Sequence, residues 1–120
     1  MFVNFSNHPS ERWDKAQLKA ATRWGEIADV PFPNVDPTMS EGDIAGLADE
    51  MVEKIMTFQP DAVMCQGEFT LSYAVITSLL QKGIVVVAAC SKRIVSEKVV
   101  DGKQQKEVEF AFEQFREYRQ

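Results

Sequence analysis

Two short polar segments hold the residues of this sequence that could perform chemistry. His8, the single histidine, lies in residues 6–12 after an apolar run, and an imidazole suits proton transfer or phosphate binding at neutral pH. Glu68 lies in the second segment, residues 66–70, where a carboxylate can accept a hydroxyl proton. The sequence therefore predicts His8 and Glu68 as catalytic residues. The ordinary alternatives are an exposed loop histidine and a carboxylate that stabilises the start of a helix.

The second segment stands between an apolar run and a helical pattern. Residues 61–65 predict a strand and residues 71–80 predict a helix. A strand that ends in glycine just before a helix leaves backbone N–H groups at the positive end of the helix dipole, where anions bind. Gly67 and Thr70 are therefore expected to contact a ligand, although turn and cap chemistry alone also explains this pair.

Predicted strands and helices alternate along the chain. Three strand–helix repeats precede a fourth, β-branched strand, which indicates a parallel sheet covered by helices on both faces. We predict one α/β domain over residues 1–120, a three-layer Rossmann-like sandwich with a mainly parallel sheet of order 2-1-3-4. The strands are expected at residues 2–5, 27–30, 61–65 and 84–90, and the helices begin near Asp14, Ser40 and Leu71.

The chain after residue 93 follows a different pattern. Asp101 and Gly102 separate two alternating segments, and this dipeptide is typical of a type I′ turn, so a C-terminal antiparallel hairpin is predicted. With a two-residue turn, Glu97 lies opposite Lys106. Residues 113–120 fit either a strand or a helix.

The predicted strand order places the functional segments together. The first and third strands are neighbours whose helices leave on opposite faces, so a crevice opens at the carboxyl ends of the strands. The loop after the first strand, the turn after the third and the segment after the fourth are expected to converge there. The predicted ligand-binding residues are Ser6, Asn7, Ser10, Gln66, Gly67, Thr70, Ser91, Lys92 and Arg93.

Charge and missing motifs exclude several classes of protein. The net charge of -5 repels duplex nucleic acid, whereas local cations and oriented amides still allow a small anionic or nucleotide ligand. Neither GxxxxGK[ST] nor GxGxxG occurs, which argues against ATP hydrolysis and ordinary dinucleotide binding. Dispersed acidic residues and cysteines without metal-ligand spacing predict no metal, and no cofactor is expected. The absence of a membrane-length apolar run or an export signal predicts a cytoplasmic protein without membrane contact.

The two polar segments also resemble those of a known family. Asn7-His8-Pro9-Ser10 and Gly67-Glu68-Phe69-Thr70 are similar to the ligand loops of small CRISPR-associated Rossmann-fold proteins, which bind cyclic oligoadenylates across a homodimer and in some cases cleave them without a metal. The resemblance implies a homodimer that binds or cleaves such a ring. In cleavage, the ligand's ribose 2′-hydroxyl would attack its own phosphate, with His8 assisting proton movement and Lys92 or Arg93 stabilising charge.

Two other functions fit the same sequence. The open edge of the C-terminal hairpin could pair with a second copy or another chain, which describes a non-enzymatic homo-oligomeric or partner-binding subunit. Cys90 at a strand end could be the nucleophile of a small hydrolase, although no base is paired with it in sequence and a buried apolar role is the simpler interpretation.

Overall fold

A computed structural model of the chain describes all of residues 1–120 and has a five-stranded sheet at its centre. The first four strands are parallel, and the fifth pairs antiparallel with the fourth. The predicted Rossmann-like α/β fold is confirmed, and the hairpin adds a fifth strand to the predicted order 2-1-3-4. The strands are β1 (Phe2–Ser6), β2 (Ile27–Pro31), β3 (Ala62–Cys65), β4 (Val85–Val100) and β5 (Lys103–Glu117), in the order β2-β1-β3-β4-β5.

Three helices cover the two faces of the sheet. They are α1 (Lys15–Ala21), α2 (Glu41–Met56) and α3 (Phe69–Gln81), with short 3-10 turns at Ser10–Arg12 and Thr22–Trp24. The start of α2 is a capping box, because the Ser40 and Asp43 side chains bond each other's backbone N–H. None of the three helices is long and apolar enough to cross a membrane.

Strand β1 separates two apolar clusters because its side chains alternate between the faces of the sheet. Val3 and Phe5 lie in the cluster under α2 and α3. Phe2 lies in the cluster under α1. Its ring stacks on that of Trp24, with the ring centroids 5.4 Å apart, and packs against that of Phe115, with the centroids 5.2 Å apart. All of β1 is buried, so the loop that follows this strand starts from a fixed point.

The fourth strand differs most from its prediction. It does not end near residue 90 but spans 16 residues, from Val85 to Val100. Residues 91–112 form a two-stranded ribbon, which we call the arm. The hairpin prediction is confirmed, since Asp101 and Gly102 have φ values of 52° and 75° and Glu97 pairs with Lys106. The radius of gyration is 16.9 Å, against about 14 Å for a compact chain of this length, because the arm extends beyond the sheet.

Candidate functional site

The loop after β1 is held by one buried side chain. The Asn4 amide nitrogen donates to the His8 carbonyl at 2.8 Å and to Asp29 Oδ1 at 2.9 Å, and its oxygen accepts from Ser6 Oγ at 2.6 Å. Trp13 Nε1 also donates to the His8 carbonyl, at 3.0 Å. The backbone of His8 is therefore fixed from two sides while its side chain stays exposed.

Ser6 and Ser10, predicted to bind a ligand, instead make hydrogen bonds within the chain that hold this loop. Ser6 is buried and accepts a hydrogen bond from the His8 backbone N–H at 3.1 Å. The Ser10 hydroxyl donates to Asp29 Oδ2 at 2.9 Å. Because their hydroxyls bond inside the chain, the structure places Ser6 and Ser10 as positioning residues and leaves Asn7 and His8 facing outward.

A cleft of about 470 Å³ lies beside this loop, at the carboxyl ends of β1 and β3 and beside the middle of β4. Of the predicted site residues, it brings together Asn7 and His8 from the first segment, Gln66 from the second and Ser91 from the third. The other lining residues come from α1, the preceding turn, β3, β4 and the arm: Pro9, Arg12, Trp13, Asp14, Gln17, Met64, Ala89, Phe110 and Phe112.

The cleft combines polar donors with aromatic surface. Arg12 supplies a permanent cation. Gln66 Oε1 accepts from the Ala89 backbone N–H at 2.6 Å, which leaves the Gln66 amide nitrogen as a donor. Phe110 from the arm is 69% exposed and presents a ring to the same space. Cation, amide donors and an exposed ring are the groups that hold a flat, negatively charged ligand.

Asp14 joins the arm to the body of the protein at the edge of the cleft. Its Oδ1 accepts from the Gln17 backbone N–H at 2.8 Å, which confirms Asp14 as the cap of α1. Its Oδ2 accepts from the Phe112 backbone N–H at 3.3 Å. One carboxylate therefore fixes both the start of the helix and the base of the arm.

The turn after β3 is not the free anion site that the sequence predicts. The Glu68 carboxylate accepts from the backbone N–H groups of Thr70 and Leu71, at 2.9 and 2.8 Å, and from the Thr70 hydroxyl. These bonds hold the pKa of Glu68 below its usual value. Glu68, expected to take part in proton transfer, instead caps α3 and occupies the amides that an anion would need.

Gly67 is explained by packing. A Cβ atom at this position would lie 2.5 Å from three carbons of the Phe32 ring, so no larger residue fits without moving the ring. Gly67 and Thr70 do not line the cleft, and Glu68 lines a separate hollow of about 380 Å³ with Asn7 and the loop after β2. The second predicted segment thus contributes only Gln66 to the cleft.

The basic pair after Cys90 lies on the arm. Lys92 pairs with Ala111 and Arg93 with Phe110, and neighbouring strand residues point to opposite faces. Neither side chain lines the cleft, and the lining cation is Arg12. The sequence placed Arg12 in the functional loop but gave no signal that separated it from Arg23 or Arg93.

The cysteines and acidic residues form no second site. Burial raises the pKa of Cys65 to about 12, so its thiol stays protonated. Cys90 is half-buried and does not line the cleft. No group of three or more histidine, cysteine, aspartate or glutamate side chains lies close enough together to hold a metal ion.

No curated protein matches the sequence significantly. Among solved structures, the chain is similar to a UDP-N-acetylglucosamine 2-epimerase with 13% sequence identity and a TM-score of 0.45. That similarity covers 72% of this chain and 32% of the other, so the chain spans about a third of that enzyme's length. Residues 1–116 match a protein family, and the chain belongs to the Uncharacterized protein MJ1673 family.

Proposed function

We propose that the chain binds a nucleotide-class anion in the cleft beside the β1 loop. The observation that supports this most directly is the convergence of His8, Arg12, Gln66 and Phe110 on one open space at the carboxyl ends of parallel strands. Ligands of α/β sheets bind at this edge. A cleft of about 470 Å³ also falls within the usual range of ligand pockets, about 300–1,000 Å³.

Different residues of the cleft bind the phosphate, the base and the ribose of the ligand. Arg12 binds a phosphate through its planar guanidinium, and the His8 imidazole donates a further hydrogen bond to it. The exposed Phe110 ring stacks on the base. The amides of Asn7 and Gln66 hydrogen-bond to the base edge or the ribose. Each chemical part of a nucleotide thus meets a matching group.

Cyclic oligoadenylate is the member of this class that we propose, because the resemblance of the β1 loop adds to the chemistry of the cleft. Such a ring contains several identical nucleotides, whereas one cleft has a single Arg12 and a single His8. A cytoplasmic homodimer would present two clefts to one symmetric ring. Binding of such a ring across a homodimer is what the resemblance to small CRISPR-associated Rossmann-fold proteins implies.

Cleavage of the bound ring is a second candidate, favoured by the placement of His8. Its backbone is fixed by Asn4 and Trp13 while its side chain faces the cleft. A ribose 2′-hydroxyl would attack the adjacent phosphorus, forming a 2′,3′-cyclic phosphate and releasing the 5′-oxygen. His8 would move the proton from the attacking to the leaving oxygen, and Arg12 would stabilise the charged phosphate.

Calorimetric titration with a ligand panel tests the binding proposal. The panel is cyclic oligoadenylates, linear oligoadenylates of the same length, and inorganic phosphate. We expect Arg12→Ala to weaken binding about 10–100-fold, as the loss of a charge-assisted phosphate contact of about 1.5–3 kcal/mol predicts. Arg23→Ala is the matched control, because Arg23 lies over Trp24 away from the cleft.

The outcomes separate binding from cleavage. If His8→Ala lowers product formation far more than it lowers ring affinity, cleavage is supported. No heat with any nucleotide, or equal losses for Arg12→Ala and Arg23→Ala, would reject the cleft as the binding site.

A further inference from the structure

One face of the arm carries exposed valine and phenylalanine side chains among charged ones and has no cover within the chain. This face, which we call the front face, is the one that continues from the cleft, because Phe110 and Phe112 line the cleft and alternate residues share a face. Directly opposed residues of β4 and β5 share it too. Its central pairs are Arg93 with Phe110, Val95 with Val108, and Glu97 with Lys106.

The exposure of the front face is unusual for a surface ribbon. Val95, Val99, Val108 and Phe110 are 50%, 72%, 46% and 69% exposed. A two-stranded ribbon on its own is marginally stable in water. Exposed apolar clusters mark interaction sites, and Val95, Val108 and Phe110 form such a cluster on the front face.

We propose that the partner is a second copy of this chain, with the two front faces packed against each other and the arms antiparallel. The proposal stands on the register of the arm and does not depend on the ligand. A two-fold axis that crosses the arm at the Val95–Val108 pair places these valines against their own symmetry mates. Such an isologous contact needs a self-complementary face.

The charges on the front face have this self-complementarity. The same axis places Arg93 opposite Glu97 of the partner subunit and Phe110 opposite Lys106 of the partner subunit. The first is an ion pair, and the second is a cation–π contact. Symmetry repeats both contacts, so each central position meets either an apolar side chain or its electrostatic complement.

The body of the protein selects the antiparallel arrangement over the parallel one. Helix α1 lies on the same side of the sheet as the front face, since Gln17 of α1 lines the same cleft as Phe110 and Phe112 of the arm. Parallel arms would bring two copies of α1 into the same space. Antiparallel arms put the bodies at opposite ends, and each arm tip then lies at the rim of the other copy's cleft. The second copy would thus complete the wall of the site.

The area available predicts a weak dimer. Ten residues of each strand extend about 33 Å, and a ribbon face is roughly 10 Å wide. Face-to-face packing would cover about 330 Å² on each copy, or roughly 660 Å² across both, which is the size of a weak, transient interface. We therefore expect a weak dimer whose population rises with protein concentration.

Sedimentation velocity of the ligand-free protein over a protein concentration series tests the proposal. The wild type should shift from monomer to dimer, and Val95→Lys should raise the dimer dissociation constant at least about tenfold, a change of about 1.4 kcal/mol. Ile94→Lys is the matched control: Ile94 is the adjacent residue, is 42% exposed and lies on the opposite face of the arm. It should leave the dimer unchanged.

Charge reversal gives a second and sharper measurement. Arg93→Glu should dissociate the dimer by opposing Glu97 of the partner subunit, and adding Glu97→Arg should restore association. Far-ultraviolet circular dichroism checks that each variant is folded. A wild type that stays monomeric, equal losses for Ile94→Lys and Val95→Lys, or failure of the double variant to recover would overturn the proposal. Failure of nucleotide binding would leave both association measurements unchanged.

Discussion

The two strand–helix junctions that follow β1 and β3 have similar polar sequences and opposite outcomes. The junction after β1 keeps its backbone polar groups satisfied by Asn4 and turns His8 outward to an open cleft. In the junction after β3, the Glu68 carboxylate accepts hydrogen bonds from the first backbone N–H groups of α3. Gly67 of the same junction packs against the Phe32 ring. Both have the polar residues of a ligand loop, but the first contributes Asn7 and His8 to the cleft and the second only Gln66.

The difference comes from where each junction obtains its hydrogen bonds. After β1, the buried strand residue Asn4 supplies them. The side chains of Asn7 and His8 therefore make no bond that the loop needs. After β3, no buried side chain does this, and Glu68 itself satisfies the α3 amides. A junction is therefore available to a ligand when its orphan backbone groups are satisfied by residues outside it.

Removal of the Asn4 amide should break the first junction and produce the largest effect. Asn4→Ala takes the acceptor of the Ser6 hydroxyl away and leaves Trp13 as the remaining side-chain N–H donor to the His8 carbonyl. We expect a loss of about 2–4 kcal/mol in the free energy of unfolding, because the unpaired buried hydroxyl costs about 1–3 kcal/mol and removal of the buried Asn4 amide leaves a cavity. Urea denaturation measures this change in the free energy of unfolding.

Asn7→Ala is the control within the same loop. Asn7 is exposed, so its loss should change stability by less than about 0.5 kcal/mol. Equal destabilisation by the two variants would show that Asn4 does not hold the loop.

A methyl group at Gly67 tests the second junction. Gly67→Ala forces Phe32 out of a position only 2.5 Å from the new Cβ and should destabilise the fold by about 1–3 kcal/mol through overpacking. Gly46 lies inside α2, where a methyl group would meet no atom within 4 Å. Gly46→Ala should therefore stabilise by about 0.5–1 kcal/mol. Two shifts of the same sign in thermal unfolding would contradict this assignment.

Local features were predictable where the deciding contacts are close in sequence. The Asp14 and Ser40 caps and the turn at Asp101 and Gly102 each depend on residues within a few positions. The register of Glu97 against Lys106 followed from the turn length alone.

Features that depend on distant residues were not predictable in the same way. Gly67 is explained by Phe32, which lies on another loop. The polar segment 91–93 looked like the end of a strand, but it continues as the arm because solvent accepts polar side chains on either face there. Phe110 enters the cleft from the far end of the chain. Single-sequence patterns contain no information about such pairings.

The Glu68 cap of α3 should produce the smallest effect, a dependence of folding stability on pH. The pKa of Glu68 is lowered in the folded protein by the N–H groups of Leu71 and Thr70. A lowered folded pKa means that the unfolded chain binds more protons, so this contribution is present above about pH 4.3 and is lost as the pH falls through the folded value. Glu68→Gln removes it. The melting temperatures of wild type and Glu68→Gln should therefore differ at pH 7 and converge below about pH 4.

Glu50→Gln is the comparison for this last effect, because Glu50 is an exposed residue of α2 at a distance from either helix end. Its replacement should leave the melting temperature at pH 7 unchanged. A difference between wild type and Glu68→Gln that grows on acidification would mean that the carboxylate does not stabilise α3 in its charged form. The amides of α3 would then be open to a ligand, and the contrast between the two junctions would disappear.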